Sequence, residues 1–347
     1  MLPQSFTPCF FSLIIALVST ATAAEPEPSG PANPAENLPP HIRRLTWFGE
    51  RADWSHDGTR VLFLEKTFGD VFEVEVANGR IHAVTNHFPH HGFTRALYLS
   101  NGDILLSGPE AFDPLRPGDA RTQCLLSVLD RSRTRPPMAL GTKCSEGPAV
   151  SRRRAHIAWT QVAAQYPGEL APGASRMLEA DIAYENGVPR LANQRVALDS
   201  RDLPFTCVLE TQNFVPPDET RLTFSTYEYQ GGEAFLLELA TKQVVNLSHE
   251  PALYEEPEGI FPDGQSTLVE TDRQRPGGWR NIDLWKMKLD GSAAMERLTY
   301  FNDTPGYKAS NGVISDDGRW LAFQLARSTD AAGVGYGIFV MDLAAKK

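Results

Sequence analysis

A short hairpin phrase that recurs along the chain is the feature that most constrains its fold. In its clearest form, at 309–323, an extended apolar run leads into Ser315-Asp316-Asp317-Gly318 and then into a strand that alternates large apolar and small residues. An Asp-Gly pair between two such runs is typical of a tight β-hairpin turn. The phrase has five further copies, some of them weaker, at 51–64, 97–105, 149–159, 214–224 and 260–268.

The spacing of these copies predicts a propeller. The residues that end the first strand of each copy lie between 45 and 65 positions apart, at Ser55, Ser100, Ser151, Pro216, Phe261 and Ser315. Each hairpin is followed by another alternating run, such as 71–76 or 234–239, and in five units by a fourth run. A period of roughly 40 to 50 residues with several strands per unit is typical of a propeller blade. We therefore expect an all-β fold, a six-bladed β-propeller.

The way the ring closes can also be predicted. The sixth unit reaches Lys347 directly after its third strand. The run Ile42–Trp47, just before the first hairpin, contains the same Arg-Leu-Thr sequence that ends the fifth unit at 297–299. Pairing of this N-terminal strand with the third strand of the last blade would complete that blade and leave no exposed sheet edge.

Three segments are expected along the chain: a signal peptide at 1–23, a disordered leader at 24–40 and the propeller at 41–347. The apolar core Phe10–Val18 and the small residues Ala21-Thr22-Ala23 predict a cleaved signal, and hence a periplasmic or secreted protein. The net charge of −10, without a basic block, argues against nucleic acid as a partner. Membrane insertion is not expected either, and the protein is expected to be a monomer.

Three cysteines follow the predicted signal, an odd number for an exported protein: Cys124, Cys144 and Cys207. One interpretation is a Cys144–Cys207 disulfide with a free thiol at Cys124. The other is three buried, reduced cysteines that pack as small apolar side chains.

The Ser/Pro-x-Asp-Gly phrase with its trailing Arg-Leu-Thr resembles the WD40-like (PD40) repeat of the TolB propeller family. The resemblance covers the propeller part alone, without the N-terminal domain of TolB. The propeller fold, in a sequence without a specific catalytic signature, predicts an exported, non-catalytic protein that binds a protein, peptide or glycan at its top-face funnel. The blades are also similar to those of oligogalacturonate lyase, a family that holds a divalent metal with His and Gln. The alternative is therefore a polysaccharide lyase, or a related carbohydrate-active enzyme, acting on an acidic glycan.

In a propeller, the residues just before each innermost strand converge on a funnel in the top face. Convergent polar groups in one concavity are the default candidate for a binding site. The predicted ligand-binding residues are Arg51, Glu146, Gln212, Asn213, Arg273, Lys308 and Asn311. If the protein is an enzyme, the predicted catalytic residues are His90, His91, Arg95 and Glu258.

A divalent metal, Ca²⁺ or Mn²⁺, is a further hypothesis. Its candidate ligands are His90, His91, Gln212 and Glu258, because imidazole, amide and carboxylate groups all ligate such ions. The competing interpretation places the histidine loop 86–95 between two blades, where its imidazoles would bond to neighbouring groups rather than to a metal.

Overall fold

The computed structural model describes residues 33–345, and within them the chain forms six four-stranded antiparallel sheets. The predicted signal peptide and the first part of the predicted leader lie outside the described residues. Strands are numbered in chain order. The innermost strands of blades 1 to 6 are β2 (Glu50–Trp54), β6 (Arg95–Tyr98), β10 (Ser145–Val150), β14 (Val208–Phe214), β18 (Glu255–Ile260) and β22 (Tyr307–Ile314).

The outer strands follow in the same blade order. The second strands are β3 (Arg60–Leu64), β7 (Ile104–Pro109), β11 (His156–Val162), β15 (Arg221–Tyr227), β19 (Ser266–Thr271) and β23 (Trp320–Arg327). The third strands are β4 (Val71–Glu75), β8 (Cys124–Leu129), β12 (Ser175–Glu185), β16 (Glu233–Glu238), β20 (Asp283–Lys288) and β24 (Ile338–Asp342). The outermost strands are β5 (Ile81–Ala83), β9 (Met138–Lys143), β13 (Val188–Asp199), β17 (Val244–Asn246), β21 (Met295–Arg297) and β1 (Ile42–Arg44).

Helical structure is confined to short connections between these strands. There is one α-helix, α1 (Pro117–Arg121), in the described part of the chain. The four 3₁₀ turns there are Pro34–Glu36, Ser200–Asp202, Gly278–Asn281 and Phe301–Asp303. The chain is therefore an all-β six-bladed propeller, as the repeat spacing predicts.

The ring is closed as predicted. Each innermost strand contacts the innermost strands of both neighbouring blades, including β22 with β2. Strand β1 pairs antiparallel with β24, with Ile42 opposite Met341 and Arg44 opposite Phe339. The Leu45 amide also donates a hydrogen bond of 2.8 Å to the carbonyl of Ile338. The N-terminal strand thus covers the edge that blade 6 would otherwise expose.

The recurring phrase forms a capped turn. In the first copy, the Ser55 hydroxyl donates to the Asp57 carboxylate at 2.6 Å and accepts from the Arg60 amide at 3.0 Å. Gly58 follows at φ 68°, in the left-handed region that glycine enters at little cost. The last copy, at 315–320, repeats these bonds. The repeated sequence therefore forms the turn that joins the innermost strand of a blade to its second strand.

The core consists of apolar clusters between neighbouring sheets. Between blades 6 and 1, for example, Trp54 and Phe63 pack against Ala322 and Val340. Equivalent clusters lie at the other five blade interfaces. Trp159 is likewise fully buried, between blades 2 and 3. These tryptophans hold the blades together, so the channel that runs between the innermost strands has a rigid wall.

All three described cysteines are free thiols, so the preferred Cys144–Cys207 disulfide is wrong and the alternative of buried, reduced cysteines is confirmed. Cys144 and Cys207 are each buried inside the fold. Burial raises the pKa of Cys124 and of Cys207 to about 11, which keeps both thiols protonated and unreactive at neutral pH.

Two segments are more ordered than the sequence indicates. The unit of 65 residues that follows Ser151 is the longest, and much of its extra length forms the long hairpin of β12 and β13, with 11 and 12 residues. In addition, Ala35 and Leu38 of the predicted leader pack against the apolar cluster between blades 5 and 6.

Candidate binding site

A β-bulge in five of the six innermost strands shapes the central channel. The pairing register shifts at the same level in β2, β10, β14, β18 and β22. Arg51, Glu146 and Asn311 lie in three of these bulges with φ near 50°, at 51°, 51° and 49°. Bulges redirect side chains and are enriched beside functional sites. Non-glycine residues in the left-handed region cost about 1–3 kcal/mol each, so the surrounding fold must hold them there.

The bulges point one polar side chain per blade into the channel. Together with Arg95 from the regular strand β6, they form what we term the waist ring: Arg51, Arg95, Glu146, Gln212, Glu258 and Asn311. The ring divides the channel into an upper funnel of about 410 Å³ and a lower chamber of about 380 Å³. Four of its members line both cavities: Arg51, Arg95, Glu258 and Asn311.

Carboxylates dominate one side of the upper funnel. Four glutamates from blades 4 and 5, which we term the glutamate tier, line it together: Glu210, Glu256, Glu258 and Glu270. One carboxylate oxygen of Glu256, one of Glu258 and one of Glu270 lie within 4.8 Å of one another. Such a group could ligate a metal ion or surround an organic cation.

Hydrogen bonds fix the tier in place. Glu256 accepts from the Tyr227 hydroxyl at 2.5 Å, from the Gln212 amide at 3.2 Å and from the Tyr254 hydroxyl. On the blade 6 side, Asn311 donates its backbone amide to Glu270 at 2.5 Å and its side-chain amide to Glu258 at 3.2 Å. The bulge at Asn311 therefore positions two of the four carboxyl groups.

Burial and crowding raise the pKa values of the tier. Burial, followed by the neighbouring carboxylates Glu270 and Glu256, raises the pKa of Glu258 well above its usual range. Burial and Glu256 raise the pKa of Glu270 to about 8. The pKa of Glu210 is also raised well above normal, by burial first and then by Glu256. Near neutral pH the tier therefore holds protons that a nearby positive charge would displace.

Most of the cationic side chains around the funnel pair with groups outside the glutamate tier. Arg51 pairs with Glu50 at 2.7 Å, and Arg121 pairs with Glu146 at 2.8 Å. Arg95 is the guanidinium that faces the tier, with a nitrogen 3.9 Å from Glu210. It lies directly over Gly147, where an added Cβ would come within 2.7 Å of its Nε.

Lys308, the remaining cation of the funnel, turns toward Trp279. Its ammonium donates to the Trp279 carbonyl at 2.9 Å and lies 4.5 Å from the indole centroid. Burial lowers the pKa of Lys308. No Lys or Arg nitrogen of residues 33–345 comes within ion-pair distance of Glu256, Glu258 or Glu270. Of the four tier glutamates, Glu210 pairs with Arg95, whereas the other three have no direct cationic partner among the described residues.

The lower chamber has a different chemistry. All six innermost strands line it, and each contributes an apolar residue to its wall: Ala52, Leu97, Val150, Phe214, Ile260 and Val313. Thr211 and Glu219 are among the polar residues that also line it. The Nδ2 atom of Asn213, another lining residue, is buried without a hydrogen-bond partner in the described part of the chain. The wall is therefore mixed, with apolar residues from every blade beside polar ones.

Arg152 forms the floor by crossing the channel. It leaves the turn of blade 3, and its Nε donates to Asp316 of blade 6, on the opposite side of the ring, at 2.7 Å. Its two other nitrogens donate to the Trp54 carbonyl at 2.8 Å and to Asp53 at 3.3 Å. His56 bonds to the second oxygen of Asp316 at 2.8 Å. The lower mouth is thus bridged by charge-assisted bonds.

The structure brings together most of the predicted site residues, but not all. Arg51, Arg95, Glu146, Glu258, Lys308 and Asn311 line the funnel, and Gln212 and Asn213 line the chamber. His90 instead bonds to Asp70 at 3.0 Å and accepts from the Gly92 amide at 2.9 Å, and His91 is exposed. Neither histidine is among the lining residues described for either cavity, so the structure does not assemble the predicted metal set of His90, His91, Gln212 and Glu258.

Arg273 is also placed elsewhere than predicted. It pairs with Glu255 at 3.1 Å and with Glu250 at 3.5 Å, and it is not among the residues that line the described funnel. Sequence reasoning missed Glu270, Tyr227 and Arg121, because these lie on or beyond second strands rather than before innermost ones. A polar residue at the top of a second strand is the signal that identifies such positions.

Comparisons with known proteins agree with the architecture. No protein-family model matches the chain, and no curated protein matches it. Among solved structures, it is similar to TolB from Acinetobacter baumannii, with 15% identity, a TM-score of 0.43 and coverage of 84% of this chain and 67% of that one. It is also similar to U3-55K, with 11% identity, a TM-score of 0.50 and coverage of 87% and 98%.

A third similar structure is a calcium-binding regucalcin from Agrobacterium tumefaciens, with 12% identity, a TM-score of 0.48 and coverage of 86% of this chain and 92% of that one. These likenesses show the fold alone. TolB proteins are among the structural neighbours, as the repeat phrase led us to expect, whereas the PD40 repeat itself stays a prediction.

In residues 33–345, no helix has the length and apolar character needed to span a membrane.

Proposed function

We propose that the chain is an exported, non-catalytic binding protein whose funnel takes a cationic group of a peptide or protein segment. The observation that carries this proposal is the buried group of Glu256, Glu258 and Glu270, whose carboxylate oxygens lie within 4.8 Å of one another. A positively charged group placed among them would relieve their mutual repulsion and would donate charge-assisted hydrogen bonds to the carboxylates. Export follows from the predicted signal peptide.

An acidic glycan fits the site less well. Its carboxylates would approach the glutamate tier, with Arg95 as the facing cation. A lyase also needs a base, and the predicted His90 bonds to Asp70 instead. Burial raises the pKa values of Tyr227 and Tyr254 well above normal, so neither phenol offers a phenolate near neutral pH. The binding hypothesis therefore has more support than the lyase hypothesis.

A peptide panel tests the proposal. Fluorescence anisotropy is measured for a labelled lysine-containing peptide, for the same peptide with glutamates in place of lysines, and for a labelled oligogalacturonate. We expect the lysine peptide to bind best. Replacing both Glu256→Gln and Glu258→Gln should weaken it by roughly tenfold or more, because a hydrogen bond to a charged group contributes about 1.5–3 kcal/mol. Glu110→Gln, at an exposed glutamate away from the funnel, is the matched control.

Two other results would contradict the proposal. Preferential binding of the oligogalacturonate, or ultraviolet absorbance from an unsaturated uronate product, would favour the lyase. CaCl₂ and MnCl₂ are titrated in parallel, because the same three carboxylates could ligate a divalent metal. A metal that binds to the tier and excludes the lysine peptide would assign the tier to the metal.

A further inference from the structure

The lower chamber is large enough to be part of a ligand site. Its volume of about 380 Å³ falls within the range of roughly 300–1,000 Å³ that small-molecule sites occupy. Asp316 at the floor follows Asn311 at the waist by five positions, along β22 and the turn after it, so the chamber is at most on the order of 16 Å deep at about 3.3 Å per residue. Apolar side chains from all six blades line it between these two levels.

A charged bridge crosses the lower end of the chamber. Arg152 connects blade 3 to Asp316 of blade 6 and to the Trp54 carbonyl of blade 1. A group that lies between the waist ring and this bridge is next to Leu97, Val150 and their neighbours. Transfer of an apolar group from water to such surroundings is favourable.

We propose that the lower chamber holds an apolar group of the same ligand whose cationic group binds the glutamate tier. This inference rests on the proposed function and adds that the ligand has an apolar part, which binds in the lower chamber. Glu258 carries the argument, because it belongs to the tier and also lines the chamber. A ligand with a positive charge and a linear apolar chain would thus place its charge at the waist and its chain below. The ligand class is a cationic amphiphile, such as an apolar chain that ends in an ammonium group.

A series of linear alkylammonium ions, from ethyl to octyl, tests this proposal by isothermal titration calorimetry. We expect the affinity to rise by about fourfold for each added CH₂ until the chamber is full. Alkanoates of the same length should not bind, because the tier repels them. The neutral alcohols of the same lengths measure the contribution of the chain without the charge, and they should bind more weakly than the amines.

Variants that fill the chamber locate the chain. Leu97→Trp, on blade 2, should leave ethylammonium binding unchanged and abolish the gain from longer chains. Val150→Trp, on blade 3, should do the same from the neighbouring blade, and it replaces the first variant if that protein fails to fold. Leu97→Ala should instead extend the rise in affinity to longer chains.

The outcomes separate this proposal from the proposed function. Wild-type protein that binds every ammonium ion equally, whatever its chain length, would overturn the chamber proposal and leave cation binding by the tier intact. Wild-type protein that binds no member of the series would remove both proposals. A length dependence that survives in both tryptophan variants would place the chain outside the chamber and would also overturn the proposal.

Discussion

Replacing Glu270→Gln should stabilise the protein at pH 8 by a few kcal/mol more than at pH 5. In the unfolded chain this carboxyl ionises near its ordinary pKa of 4.5, whereas burial and Glu256 raise its pKa to about 8 in the folded protein. Between these values the folded state binds more protons than the unfolded state, so stability falls as the pH rises. Gln cannot ionise, and it can still accept the hydrogen bond from the Asn311 amide. One pKa unit corresponds to about 1.4 kcal/mol, which sets the scale of the effect.

Urea denaturation at several pH values between 5 and 8 measures this difference. The exposed Glu110→Gln variant should follow the wild type at every pH. If Glu270→Gln changes the free energy of unfolding equally at pH 5 and pH 8, the carboxyl does not have a raised pKa in the folded protein. The electrostatic description of the tier would then be wrong.

Replacing Ile42→Asp should destabilise the propeller by roughly 3–5 kcal/mol and promote its association. Ile42 is buried in the apolar cluster between blades 5 and 6, and its strand closes the ring opposite Met341. A carboxylate at this position would be buried without a partner or would pull the strand away from β24, and either outcome is costly. A released strand would expose the edge of blade 6, which favours edge-to-edge pairing between molecules.

Thermal denaturation and size-exclusion chromatography check this prediction. The adjacent Arg43→Ser is the matched control, because Arg43 lies on the same strand with an exposed side chain. It should change the stability by less than about 1 kcal/mol. A folded, monomeric Ile42→Asp protein of wild-type stability would show that the N-terminal strand does not close the ring.

The fold was predictable because each blade repeats the same local physics. The Ser55–Gly58 turn and its copies recur with strand patterns of period two, and the shared Arg-Leu-Thr sequence identified the closing strand. The long hairpin of β12 and β13 escaped prediction because no turn signal was recognised in that stretch, although Gly187 at φ 79° lies between the two strands.

The site was predictable only in part. The start of each innermost strand lies beside the channel in any propeller, so the repeat placed Arg51, Glu258 and Asn311 near it, although they lie within β2, β18 and β22 rather than before them. The bulges that turn them into the channel depend on pairing between β-strands and leave no clear sequence pattern. Clustering in sequence was a poor guide for His90, which lies close to His91 along the chain but bonds to Asp70. The role of Arg152 could not be predicted, because a sequence does not show which groups lie across the channel.

The most direct test of the central claim is the number of protons released when a cation binds. Hexylammonium is titrated into the protein at neutral pH in buffers with different ionisation enthalpies. A cation among Glu256, Glu258 and Glu270 lowers their pKa values, so the account predicts a net release of protons that decreases when both Glu258→Gln and Glu270→Gln are present. Binding without proton release, or with proton uptake, would contradict the claim that the glutamate tier is a cation site.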